Sequence, residues 1–234
     1  MSLHHPTSEL LEKFAAADLD GSLACVIAAH TQYCAACQKT VRALEQQLAS
    51  VAFEAPGAPL LTLDTSDAWQ KLAARMAPAK SPESHPIPSR EIQVDSITFK
   101  LPRSLHNLTA KPIKWMPFGK GGRISKLGNE NGNSLFLIYL APDEEVPLHS
   151  HVGAEHSCVI AGSYAADGMQ FETGDFSYSA ETVTHAPKAG SEDGCLLLSR
   201  VETRLNFLQG WWKPFNALLW FILNMRVKLL ELRS

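Results

Sequence analysis

The chain has 234 residues, of which 45% are hydrophobic and 19% charged, with a formal net charge of -3. That balance excludes a disordered chain, and it excludes the global basic field that would attract nucleic acid. The length exceeds what one typical core needs, so two domains are expected.

Thr7 or Ser8 can cap a first helix running to about residue 17, with Leu10, Leu11, Phe14 and Ala15 at helical spacing. After a turn at residues 18–22, a second, apolar helix is expected over 23–33. A third follows over 34–53, with Val41, Leu44 and Leu48 on one face. Across their junction runs His30-x3-Cys34-x2-Cys37. Residues three and four apart on a helix share a face, so these side chains can close on one point. Two thiolates and an imidazole suit tetrahedral zinc. His4 and His5 are both candidates for the fourth position. A helix start at Cys34 would favour the anionic form of both sulfurs. Five scattered cysteines, in a chain whose first residues show no apolar signal segment, fit a reducing cytoplasm, where metal ligation is expected in place of a disulfide.

Residues 55–59 (Ala-Pro-Gly-Ala-Pro) break the helical pattern. Asp64 or Thr65 can cap a fourth helix over 66–76, with Trp69, Leu72 and Ala73 as its apolar stripe. The Pro- and Ser-rich stretch 78–90 reads as a linker. The expected organisation is a helical zinc domain over 1–77, a β domain over 91–205 and an amphipathic carboxy-terminal helix over 206–234.

In the β domain, short apolar runs at 113–116, 124–127, 134–140, 158–160 and 195–201 alternate with turn residues, and 126–133 reads as a hairpin turn. Many short strands without intervening helices point to a sandwich or small barrel. Residues two apart on a strand face the same side, so His149 and His151 aim together. Gly153 permits a bend that returns Glu155 to the same place, and His185 follows the turn signal Gly174-Asp175. Three imidazoles and a carboxylate form a divalent-metal site of the zinc, iron or manganese type. His156 should face the opposite way and be structural. His85 and His106 read as solvated. Cys25, Cys158 and Cys195 read as small apolar side chains, with Cys158, of opposite parity to Glu155, as a candidate accessible thiol for redox chemistry. In the tail, Pro214 suits a helix start, and the uninterrupted apolar run 217–223 falls far short of the ~20 residues a membrane span needs. Docking of this helix on the β domain or its dimer mate is expected, with contact with a membrane surface or a separate partner groove kept open.

The spacing His149-x-His151-x3-Glu155-x6-Gly162 resembles the first cupin motif, and Gly174 to His185 resembles the spacing of the second. The departures, such as Asp143, Ala180, Thr182 and Ala189 where the family has glycine, proline, glycine and asparagine, touch turns and not ligands. A short His-x3-Cys-x2-Cys helical module joined to a single cupin resembles the ChrR-type anti-sigma factors over roughly residues 4 to 205. That resemblance implies a multidomain α + β chain, a small all-α zinc-binding domain followed by an all-β jelly-roll cupin. It implies zinc on His5, His30, Cys34 and Cys37, with His5 chosen over His4 by family analogy. It implies a second metal, zinc with iron or manganese as alternatives, on His149, His151, Glu155 and His185. The family's partner is an extracytoplasmic-function sigma factor, bound by the zinc module and released through the cupin under oxidative stress such as singlet oxygen. The acidic module, with eight acids against five bases through residue 77, suits a basic protein partner and not DNA. Leu60, Leu61, Leu63 and Trp69 are candidates for apolar contact with it. The runner-up reading is a metal-dependent cupin enzyme of the dioxygenase type with the amino-terminal module as a tether; the regulator, not an enzyme, is expected.

Overall fold

The computed structural model describes residues 4–54, 66–75, 90–181, 183–202 and 204–208. Four helices come first: α1 (Ser8–Ala15), α2 (Gly21–Tyr33), α3 (Ala35–Glu54) and α4 (Ser66–Arg75). Strands follow, β1 (Arg90–Val94), β2 (Ile97–Leu101), β3 (Met116–Phe118), β4 (Gly122–Glu130), β5 (Asn133–Leu140), β6 (His149–Val152) and β7 (Glu155–Ala166). The remainder are β8 (Met169–Glu172), β9 (Phe176–Ser179), β10 (Thr184–His185), β11 (Lys188–Ala189), β12 (Cys195–Glu202) and β13 (Arg204–Phe207). No helix among the described residues is long and apolar enough to cross a membrane.

The helix starts are set by caps. Thr7 accepts the Leu10 N–H and Asp20 accepts the Leu23 N–H, each satisfying a donor the helix itself leaves free. α3 begins one residue later than its spacing suggests. Cys34 is extended (φ -107°, ψ 101°), its carbonyl accepts the Gln38 N–H, and its sulfur accepts the Cys37 N–H at 3.4 Å. Cys34 thus caps α3 with a sulfur.

The strands form an antiparallel sandwich. The larger sheet runs β11-β7-β12-β5-β4-β3, with β8 and β9 also pairing with β7. The smaller sheet is β10-β6-β13, and β1 with β2 forms a separate hairpin. The β4–β5 turn is narrower than the expected 126–133: Asn131 (φ 51°) and Gly132 (φ 89°) turn it, and pairing resumes at Glu130 with Asn133. β13 reaches Phe207 and pairs there with His149, across the boundary expected at residue 206. The tail beyond residue 208 and the linker over 78–89 lie outside the described residues.

Alternation along β5, β7 and β12 divides the core. Leu135, Leu137, Cys158, Ile160, Leu196 and Leu198 face one way and join Leu23, Val26, Ile27 and Ala29 of α2 in a single buried cluster. Phe136, Ile138, Leu140, Val159, Leu197 and Val201 face the other way, into the sandwich. α2 is therefore covered on both sides, by α1 and α3 on one and by the larger sheet on the other. Val26 and Ile27 are fully buried, and each side chain so placed contributes roughly 1.5–3 kcal/mol. The cover also corrects one expectation. Cys158 is not an accessible thiol: it is fully buried beneath α2, and burial pushes its pKa up, so it is a poor nucleophile there.

Polar ties anchor the start of α2. The Arg200 guanidinium of β12 is 4% exposed; it pairs with Asp20 at 2.8 Å and Glu202 at 2.5 Å, and lies 3.5 Å from His156 Nδ1. Glu130 accepts the Gly21 N–H at 2.6 Å. Burial alone would raise Asp20, but the Ser22 hydroxyl, the Leu23 N–H and Arg200 outweigh it and hold the carboxyl below its usual value. Asp20→Ala should lower the unfolding free energy by about 3 kcal/mol, since it removes a helix cap and strips a buried cation of a partner; urea titration measures it. The stability Asp20 contributes is fully present above its unfolded-state pKa and is lost as pH falls through the lower folded value. Asp20→Asn should therefore flatten the loss of stability on acidification below about pH 4.

Candidate metal centres

Two groups of ligand-type side chains converge. His5, His30, Cys34 and Cys37 form one and His149, His151, Glu155 and His185 the other, with the donor atoms of each group within 4.8 Å of one another. Between them they hold every metal-ligand candidate named from the sequence except His4, whose ring lies 4.6 Å from that of Phe171 and whose Nε2 faces the Gln170 carbonyl at 3.2 Å.

In the amino-terminal group, α2 delivers His30 from its last turn, and the α2–α3 junction delivers both sulfurs. His5 comes from the segment before α1. His30 is fully buried. Its Nδ1 lies 2.7 Å from the Gly174 carbonyl, which only accepts, so Nδ1 carries the proton and Nε2 is left as a bare lone pair. That Nε2 is buried without a hydrogen-bond partner. His5 Nδ1 lies 3.4 Å from the Cys34 sulfur and 3.5 Å from the Cys37 sulfur. A ring nitrogen has a single lone pair or proton, so it makes at most one well-aligned hydrogen bond to this pair of sulfurs. The same separations are what tetrahedral bonds of about 2.3 Å to sulfur and about 2.0 Å to nitrogen impose. Burial, and then the Cys34 thiol beside it, pushes the Cys37 thiol up, so a second thiolate needs a cation at this place. The donors fit a divalent metal.

In the cupin group, β6 supplies His149 and His151 from one face, β7 supplies Glu155, and β10 pairs with β6 to set His185 opposite His149. Gly153 makes the return from β6 to β7 possible: its φ is +93°, and a Cβ there would lie 2.5 Å from the Glu202 side chain. His185 Nε2 lies 2.9 Å from His151 Nε2 and 3.0 Å from His149 Nε2. Glu155 Oε2 lies 2.9 Å from His151 Nε2. His149 Nδ1 donates to the Pro147 carbonyl at 2.9 Å, again turning a bare Nε2 inward. Burial lowers His149 to about 4, against the pull of Glu155, so its ring is neutral near pH 7 and available as a ligand. Burial also lowers His185. For Glu155, burial opposes ionisation, but the hydrogen bond and charge of His151 and the Ser199 hydroxyl hold it well below the carboxylate range. The second oxygen, Oε1, accepts hydrogen bonds from Ser157 (3.2 Å) and Ser199. Three imidazole nitrogens and one carboxylate, packed this closely, need protons or a metal cation among them. A cavity of about 50 Å³ adjoins them, lined by Phe118, Ile138, Leu140, Val146 and Leu197.

Residues 106–203 match the family described as the ChrR cupin-like domain. The cupin part of the chain, 98 residues, thus matches a ChrR family model. The chain is 25% identical over 207 residues to the anti-sigma-E factor ChrR of Cereibacter sphaeroides, a match that covers 87% of this chain and 92% of that protein. The crystal structure of Rhodobacter sphaeroides SigE in complex with the anti-sigma ChrR shares its fold, with a TM-score of 0.64 at 23% identity over 86% of this chain and 100% of that one. An RmlC-like cupin protein from Ralstonia eutropha JMP134 is a more distant likeness, 20% identical over 42% of this chain and 68% of its own, with a TM-score of 0.38. The fold shared with the SigE–ChrR complex spans most of this chain.

Several supporting residues escaped the sequence reading. Ser157 and Ser199 brace Glu155; the first shares its strand face two residues on, a signal that parity alone carries, whereas the second sits 44 residues away with no local mark. The Gly174 carbonyl that fixes the His30 ring has no side chain to read. Of the residues expected to meet a partner, Trp69 is 66% exposed on α4, while Leu60, Leu61 and Leu63 lie outside the described residues. His156 is buried beside Arg200, and His106 is half-buried with Nε2 3.4 Å from the Leu101 carbonyl, not solvated as expected. Metal analysis of the whole chain should give two ions; His30→Ala should lose one and His185→Ala the other, each leaving its neighbour in place.

Proposed function

We propose that this chain is an anti-sigma factor that binds and inhibits an extracytoplasmic-function sigma factor in a zinc-dependent way, and that its cupin metal senses oxidative stress such as singlet oxygen and releases the sigma factor. The observation that carries the reading is the convergence of His5, His30, Cys34 and Cys37 on one point in a chain similar to an anti-sigma factor along most of both lengths. Two sulfurs and two imidazoles with four-coordinate geometry describe a closed structural site, for which zinc is the fitting ion. Closing that site holds the end of α2, the start of α3 and the segment before α1 in one arrangement, and it supplies folding free energy that three short helices lack. The exposed faces of α3 and α4 would then meet the sigma factor. Leu48, Val51 and Trp69 are exposed there at 45%, 64% and 66%, so an apolar surface is available, and Leu60, Leu61 and Leu63 belong to the segment between the two helices. The acidic balance of the helical part suits a basic partner.

In the cupin, the ligand set of three histidines and one glutamate can hold zinc, ferrous iron or manganese. A bound metal there would supply Lewis acidity beside the apolar cavity. The chain's own residues fix which nitrogens face it, exclude water through Phe118, Ile138 and Leu197, and hold the carboxylate ionised through Ser157 and Ser199. The near full-length relative is a regulator and not an enzyme, which sets this reading above a cupin enzyme with a helical tether. The place of action that follows is the cytoplasm.

Cys34→Ser should abolish capture of the sigma factor in pull-down with the full chain; a tight complex formed by the zinc-free variant would contradict the reading. Glu155→Ala should leave that capture within about threefold of the parent while release under singlet oxygen fails, as read by a sigma-dependent reporter. Normal induction with the cupin verified metal-free would remove the sensing role.

A further inference from the structure

The two parts of the chain meet at the amino-terminal metal cluster itself. The turn between β8 and β9, formed by Gly174, Asp175 and Phe176, belongs to the cupin, yet it makes three bonds to the ligand-bearing segments. The Gly174 carbonyl accepts from His30 Nδ1 at 2.7 Å. The Asp175 carboxylate accepts the His4 N–H at 3.3 Å. The Phe176 N–H donates to the His4 carbonyl at 3.0 Å. His4 adjoins His5, so the backbone that presents the His5 ring is clasped by the turn. The clasp is itself held rigid. Asp175 is 2% exposed and its second oxygen accepts the Glu172 N–H at 2.9 Å. The Gly174 N–H donates to the Val159 carbonyl at 2.8 Å, and the Val159 N–H donates to the Asp175 carbonyl at 3.0 Å, tying the turn to β7. Gly174 also needs to be glycine: its φ is +95°, and a Cβ would stand 2.7 Å from Cβ of Tyr33, the last residue of α2.

We propose that this cupin turn is a built part of the amino-terminal metal site, positioning the His30 and His5 ligands, so that the site's grip on its ion depends on the cupin. The proposal rests on the reading of the His5–Cys37 cluster as a metal site. The chemistry is that of an outer support. A carbonyl on Nδ1 fixes the tautomer and ring angle of a ligating histidine and makes its other nitrogen a better donor; loss of such support costs 10–100-fold in affinity in typical metal sites. Asp175 acts through the backbone of His4 and touches no reacting atom, so it is a positioning residue.

The test uses the full chain loaded with cobalt. Only the amino-terminal group has sulfur donors, so the thiolate-to-cobalt absorption band reports that site alone, and cobalt held by the cupin is the total metal less the share that the band reports. A chelator is added and the band is followed. In Asp175→Ala the band should decay about tenfold faster than in the parent, while cupin cobalt stays bound. Asp175→Asn, which keeps one acceptor oxygen in the same volume, should fall between. A second pair of variants leaves the cupin sequence untouched and decides the matter should Asp175→Ala fail to fold: His4→Pro removes the N–H that Asp175 accepts, whereas His4→Ala keeps it. The proline variant should lose the band several-fold faster than the alanine variant. Decay within twofold of the parent in Asp175→Ala, or in His4→Pro relative to His4→Ala, overturns the proposal and leaves the metal reading standing. A parent chain that shows no thiolate band overturns both.

Discussion

Burial of α2 between the short helices and the larger sheet is the constraint from which the rest of the molecule takes its shape. Three short helices cannot enclose a core unaided, and a sandwich whose strands are apolar on both faces cannot stand in water. Each deficit is removed by the other part. The result is that α2, which carries His30 and leads directly into the two cysteines, is held against the sheet along its length. Its first turn is tied through Asp20 and Gly21 to β12 and β4, and its last through His30 and Tyr33 to the β8–β9 turn and β7.

The two candidate metal centres share a device. In both, a peptide carbonyl takes the Nδ1 proton of a histidine, Gly174 for His30 and Pro147 for His149, and leaves Nε2 pointing inward. The surroundings then diverge. Sulfur donors and a tight tetrahedral fit suit an ion that holds shape. Hard donors beside an apolar cavity suit an ion that can take a further ligand. β9 runs between them: Phe176 at its start bonds to the His4 backbone, and the Ser179 hydroxyl at its end lies 3.4 Å from His185 Nδ1.

The convergence of both groups was legible in the sequence because helix and strand geometry encode most of each over a few residues. His30, Cys34 and Cys37 lie within one stretch, and His149, His151 and Glu155 within another. The choice between His4 and His5 was not legible, since neighbouring residues in an irregular segment carry no periodic signal; contact with Phe171 and Gln170 turns the first away. The error at Cys158 has a plain cause. Parity put it opposite Glu155, and that face was taken as open, although the unbroken apolar runs at 134–140 and 195–201, together with a second helix apolar on all sides, mark a sheet covered twice. The β1–β2 hairpin escaped as well. Its alternation is present in Ile92, Val94, Phe99 and Leu101 around a turn at Asp95 (φ 52°), but each strand has only five residues.

The shared core around α2 makes the covalent connection between the two parts mechanically redundant. A protease that cuts the backbone between residues 75 and 90 would nick the protein without dividing it, because Val26, Ile27, the Arg200 cluster and the Gly174 turn would keep the fragments together. Such a nicked protein would migrate as two pieces under denaturing conditions and as one particle in native buffer.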